Sequence, residues 1–117
     1  MSLLNYRRSV RTDNVKRIGY KVFKRSKVKP GTYRGVFYTF AGGYVPYTTY
    51  RETNSGLVPD GKYDYGFHIF LSKSDANAYR NHNEAVVQVE YSGVTGFGTE
   101  YGRPVVVAKE IKLLGEV

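Results

Sequence analysis

The chain has no cysteine and no tryptophan, and only one methionine and four prolines among its 117 residues. Without cysteine there is no disulfide, no thiolate metal ligand, no thiol nucleophile and no thiol redox chemistry. Long apolar runs are missing too. The longest, such as Pro104 to Ala108, fall far short of the roughly twenty residues a spanning helix requires. Met1-Ser2-Leu3-Leu4 is followed closely by charge, at Arg7 and Arg8, which is not the form of a signal peptide. A cytoplasmic protein with no membrane partner is therefore expected. Neither histidine, His68 nor His82, has neighbours at zinc-site spacing, so no metal is implied. There is also no nucleophile elbow and no glycine-rich phosphate loop in a strand–helix context.

Acid is nearly absent from one end. Asp13 is the only acidic residue in the first 34 positions, which hold 11 of the 18 Lys and Arg residues, a formal charge of +10. The other 83 residues carry seven bases and nine acids, or −2, for a total of +8. A positive face of that density attracts polyanions and nucleotides while doing little for the fold. It specifies a class of partner and no reaction.

What the chain has in excess is tyrosine, twelve residues within an aromatic content of 15%. The length suits one domain with a real core. Residues 1–17, with Arg7, Arg8, Arg11, Lys16 and Arg17 and few apolar anchors, read as a basic arm, mobile or helical on binding. Residues 18–117 read as a single α+β domain.

From Ile18 the alternation Ile18, Tyr20, Val22 has the period of a half-buried strand. Lys27-Val28-Lys29-Pro30-Gly31 is a turn, since Pro presets one dihedral and Gly supplies a positive φ. Thr32 to Ala41 is dense in aromatic and β-branched residues and predicts a second strand. Tyr44 to Glu52 predicts a third, placed at an edge by Pro46. After a polar loop, Tyr65 to Leu71 predicts a strand running into a short helix capped at Ser72 and closed near Asn81 to Asn83. Ala85 to Tyr91 and Pro104 to Leu114 alternate as strands. Ser92 to Arg103, with four glycines, reads as a long flexible connection, and Gly93-Val94-Thr95-Gly96-Phe97-Gly98 within it as a hairpin or loop. The expected fold is α+β: a mostly antiparallel sheet of five or six strands with one or two short helices.

Tyr33, Tyr38, Tyr44, Tyr47 and Tyr50, with Phe37 and Phe40, crowd positions 33–50 beside the basic end. Their rings either stack on bases or form the core. Lys21, Lys24, Arg25, Lys27, Lys29 and Arg34 either meet phosphates or make a solvated face. His68 is either a hydrogen-bonded inward residue or a site group.

Gly66 to Tyr79, Gly-Phe-His-Ile-Phe-Leu-Ser-Lys-Ser-Asp-Ala-Asn-Ala-Tyr, resembles the strand-to-helix segment of ADP-ribosyltransferases of the poly(ADP-ribose) polymerase type, and Glu100-Tyr101 resembles the Glu-Tyr before that family's last strand. The resemblance implies NAD as cofactor, His68 at the position of the nicotinamide-stacking Tyr, and Glu100 at that of the catalytic Glu. The family's first-strand His-Gly has no counterpart, Tyr20-Lys21 lying nearest. The Gly-Phe-His stretch also resembles small uncharacterised phage and bacterial proteins, which implies no activity and, for a phage protein, the host cytoplasm.

The residues thus point first to a small phage-type anion-binding module for nucleic acid or a nucleotide, capturing a host molecule, without cofactor and without need of catalysis. The alternatives are an ADP-ribosyltransferase-like NAD enzyme or its degenerate relative, and an inhibitor of an acidic protein.

Overall fold

A computed structural model describes residues 3–11, 15–35 and 43–117. Among them are seven strands and one helix: β1 (Leu4–Arg8), β2 (Arg17–Arg25), β3 (Tyr33–Gly35), β4 (Thr49–Arg51), β5 (Phe67–Phe70), α1 (Lys73–Tyr79), β6 (Glu84–Glu100) and β7 (Arg103–Glu116). Every strand pairing is antiparallel. The sheet turns round on itself. β2 pairs with β6, β6 with β7, β7 with β5, and β5 returns to β2 through one residue pair, Tyr20 opposite Phe70. β1 flanks β6, β3 flanks β2 and β4 lies outside β7.

Each ring strand buries both faces. Phe23, Ile69, Val87, Val89, Val106, Ala108, Ile111 and Leu113 are all 0% exposed and make one cluster with Tyr33 and Tyr44, to which α1 contributes nothing; this is the inside of the ring. Val22, Phe70, Val86, Val105 and Val107 form a second cluster on the other face, covered by Ala76 of α1 and by Leu3. Each such side chain contributes about 1.5–3 kcal/mol by leaving water.

Several local expectations are met. Gly31 has φ +82 and Thr32 N–H bonds the Lys29 carbonyl oxygen at 3.2 Å, a type II turn around Pro30. Ser72 Oγ accepts from Asp75 N–H at 3.2 Å and caps α1. Of the third strand predicted over Tyr44 to Glu52, β4 covers Thr49–Arg51, with Pro46 outside it, and among the described residues it pairs with β7 at the edge of the sheet. Of the second strand predicted over Thr32 to Ala41, β3 covers three residues, and positions 36–42, with Phe37, Tyr38 and Phe40, lie outside the described residues.

Three expectations are corrected. Residues 4–8 are strand, not arm or helix: Leu4, Arg7 and Arg8 sit opposite Thr99, Phe97 and Gly96. The reason lies in the glycines of 92–103, which are strand rather than flexible loop. A β-carbon at Gly96 would run into the Tyr6 ring, and one at Gly98 would lie 2.8 Å from Leu3 Cγ, so these positions are bare to let β1 approach. Only Tyr101-Gly102 turns, with φ 50 and 74 between the paired Glu100 and Arg103, as in a type I′ hairpin. Finally, α1 ends at Tyr79 on an extended Arg80, not on a left-handed asparagine. Asn81 instead donates its backbone N–H to buried Glu84 at 2.9 Å.

Candidate functional site

Along β5, Ile69 turns into the ring and Phe70 outward, so alternation puts His68 on the outer face with Phe70. Glu100 ends β6, just before the Tyr101-Gly102 turn. That hairpin tip folds against α1: the Tyr101 and Tyr79 rings are 5.8 Å apart, and Arg103 reaches Asp75 at 4.0 Å. Glu100 is thereby delivered to His68, with Oε1 2.9 Å from Nδ1 and side chains 5% and 20% exposed. An ionised carboxylate can only accept, so Nδ1 is the donor to Glu100, and in the neutral tautomer that this bond selects Nε2 keeps a lone pair. Nε2 has no hydrogen bond, and no buried side-chain nitrogen or oxygen is left without a partner among the described residues. Nε2 is therefore open to solvent.

The surroundings are aromatic and charged. Tyr63 stands edge-on to the His68 ring at 5.0 Å, and Tyr79 packs on Phe70 at 5.1 Å. Burial, helped by Glu100, Tyr101 and Glu84, pushes the Tyr79 phenol well above its ordinary range, so it stays neutral. Lys21 Nζ donates to the His68 carbonyl oxygen at 3.0 Å. Burial lowers that ammonium to about 8, with Glu100 drawing it back up. Beyond Tyr63, the Tyr6 hydroxyl donates to buried Asp64 at 2.5 Å and Arg8 lies 3.5 Å from the same carboxylate, tying β1 to the loop before β5. Burial first, and Asp64 second, raise the Tyr6 phenol.

The sequence-derived ligand residues separate into two groups. Tyr33 and Tyr44 are 7% and 9% exposed and pack on Phe23 at 6.0 and 5.2 Å. They belong to the core and cannot stack on a ligand. Tyr33 also donates its hydroxyl to Glu116 at 2.9 Å. Arg25 holds Glu116 with two hydrogen bonds of 3.1 and 3.0 Å, and Lys21 is committed to His68, so neither is a free phosphate contact. Tyr38 lies outside the described residues. Tyr47 remains, 72% exposed with φ 64, its N–H on the Leu113 carbonyl oxygen. Lys24, Lys27, Lys29 and Arg34 are exposed. Tyr47 and this β2–β3 hairpin meet the same end of β7, one at Leu113 and the other at Glu116.

Tyr63 and Asp64 were not singled out by pattern, and Tyr101 was noted only beside Glu100, without a role. A residue–glycine pair before a valine-rich strand signals a hairpin, but the glycines upstream of Tyr101 mask it. No group of three metal-binding side chains occurs among the described residues, and none of their helices is long and apolar enough to cross a membrane. No family model, no curated protein and no solved structure matches this chain.

Proposed function

We propose that the protein is a small anion-binding module that holds the phosphates of nucleic acid or a nucleotide on the β2–β3 hairpin, beside the exposed ring of Tyr47. One observation carries this: Lys24 stands directly opposite Arg34, with Lys27 and Lys29 in the turn between them. None of the four has a carboxylate within ion-pair distance among the described residues. Glu84, across from Lys24 on its other side, is spent on Asn81. Like charges facing each other across a ladder destabilise it, and a bound polyanion removes that repulsion. Val28 at the tip is 94% exposed, so the loop projects into solvent.

The test is fluorescence anisotropy with a labelled single-stranded oligonucleotide across a salt series. Four phosphate contacts give a log–log slope of about −3, at roughly −0.7 per contact. Lys24→Gln with Arg34→Gln flattens it by about 1.4. Binding indifferent to salt sinks the proposal, and equally tight binding of poly-glutamate assigns the surface to an acidic protein partner instead.

A second reading, NAD-consuming ribosyl transfer, is favoured by the meeting of His68 and Glu100 from strands 32 residues apart. Against it, Glu100 is 4% exposed and its Oε1 is already held by His68. NAD hydrolysis that is lost in Glu100→Ala supports it; hydrolysis that survives that substitution ends it.

A further inference from the structure

We infer that His68 is a general base aimed by Glu100, and that it takes the proton of a ribose 2′-hydroxyl so that the module cleaves the RNA it binds. This rests on the nucleic-acid reading of the β2–β3 hairpin.

A buried carboxylate is expensive unless it is paired and hydrogen-bonded, and the partner given to Glu100 is the imidazole. The effect on His68 is specific: the proton is fixed on Nδ1, the ring is oriented, and the Nε2 lone pair faces solvent. That is the arrangement in which a carboxylate makes an imidazole a proton acceptor. The other groups facing the pair are the Lys21 ammonium on the His68 carbonyl, the rings of Tyr63 and Tyr79, and Tyr101 with the Arg103–Asp75 pair at the hairpin tip. Lys21 is the cation that acts on Glu100, and it does so from the inner side of the sheet, where its ammonium also lies 5.8 Å over the buried Phe23 ring. β2 also carries Lys24, on the same outer face as Tyr20 and Val22, and Tyr20 stands opposite Phe70, two residues from His68, so an RNA strand held by the hairpin is laid toward the imidazole.

RNA suits a site that offers a base, because it brings nucleophile and electrophile together. The 2′-oxygen bonds to the adjacent phosphorus as its proton passes to Nε2, and the bond from phosphorus to the 5′-oxygen breaks. The products are a 2′,3′-cyclic phosphate and a 5′-hydroxyl, whose proton comes from solvent. The imidazolium then returns its proton to solvent.

The experiment uses the full chain and one labelled sequence made as RNA, DNA and 2′-O-methyl RNA. RNA alone is cut, and mass spectrometry finds cyclic phosphate ends. His68→Gln, whose amide keeps a hydrogen bond to Glu100, binds within about twofold of the parent but cleaves at least about 100-fold more slowly. Glu100 is a positioning residue. Glu100→Gln slows cleavage about 10- to 100-fold in kcat while KM is unchanged; a purely structural role moves the two together. RNA left intact by a protein that binds it, or cut equally by His68→Gln, overturns the inference alone. Failure to bind any oligonucleotide overturns the proposed function first, so the two failures are told apart.

Discussion

Lys21 Nζ donates to the His68 carbonyl oxygen at 3.0 Å, next to the single residue pair that joins β2 to β5. A side-chain ammonium thus satisfies an acceptor that a longer ladder would have given to a backbone N–H. Burial lowers this ammonium to about 8. Between about 8 and the ordinary 10.5 the unfolded chain binds a proton that the folded one does not, so stability rises with pH through that window and is lost again as pH falls through 8. Urea titrations at pH 7.5 and 9.5 are expected to differ by about 1–2 kcal/mol, and Lys21→Met abolishes the difference.

Tyr33 and Glu116 give the opposite dependence at the other end of the ring. Burial, and then the hydrogen bond to Glu116, raise the Tyr33 phenol to about 12. Its contribution is complete below pH 10 and disappears as pH climbs through 12. Tyr33→Phe removes the alkaline fall and loses about 1 kcal/mol at neutral pH. On the acid side, hydrogen bonds from Arg25 hold the Glu116 carboxyl below its ordinary value. That stabilisation is present above the usual carboxylate range and is lost as pH drops through the depressed value. Thermal melts of Glu116→Gln between pH 3 and 6 should show a flatter acid limb than the parent.

Gly98 is bare because Leu3 and β1 lie across it. Gly98→Val forces the two apart at a cost of about 1–3 kcal/mol. Hydrogen exchange is the informative readout: amides of Leu4–Arg8 lose protection while those of β2 and β7 keep theirs. Uniform loss across the sheet would mean that β1 is not a separable strap.

Alternation located β2, β5, the first half of β6 and β7, and the turn at Pro30 and the cap at Ser72 were legible from single residues. What alternation could not do was sort the faces. In a sheet closed into a ring, the strands bury both sides, so an outward Val105 and an inward Val106 look alike in sequence. For Tyr33 and Tyr44 the sequence therefore left platform and core both open, and they are core. Glycines 96 and 98 read as looseness because their purpose is a contact with residues 90 or more positions away. His68 and Glu100 were each visible through short words of sequence, but their meeting depends on how the β6–β7 tip folds onto α1, which no local pattern encodes.

Tyr101 offers a test of that tip. It occupies the first turn position with φ 50 and is 74% exposed, where a type I′ turn favours asparagine or glycine. A tyrosine there stores backbone strain of order 1 kcal/mol, and so exposed a ring offsets little of it by packing on Tyr79. Tyr101→Asn should relieve the strain and raise Tm by about 3–5 °C, while the His68 to Glu100 hydrogen bond, made on the strand side of the turn, persists. Nitrogen-15 shifts of the His68 ring report that bond directly. A fall in Tm would show instead that the ring's contact with Tyr79 outweighs the strain and is what holds the tip on α1.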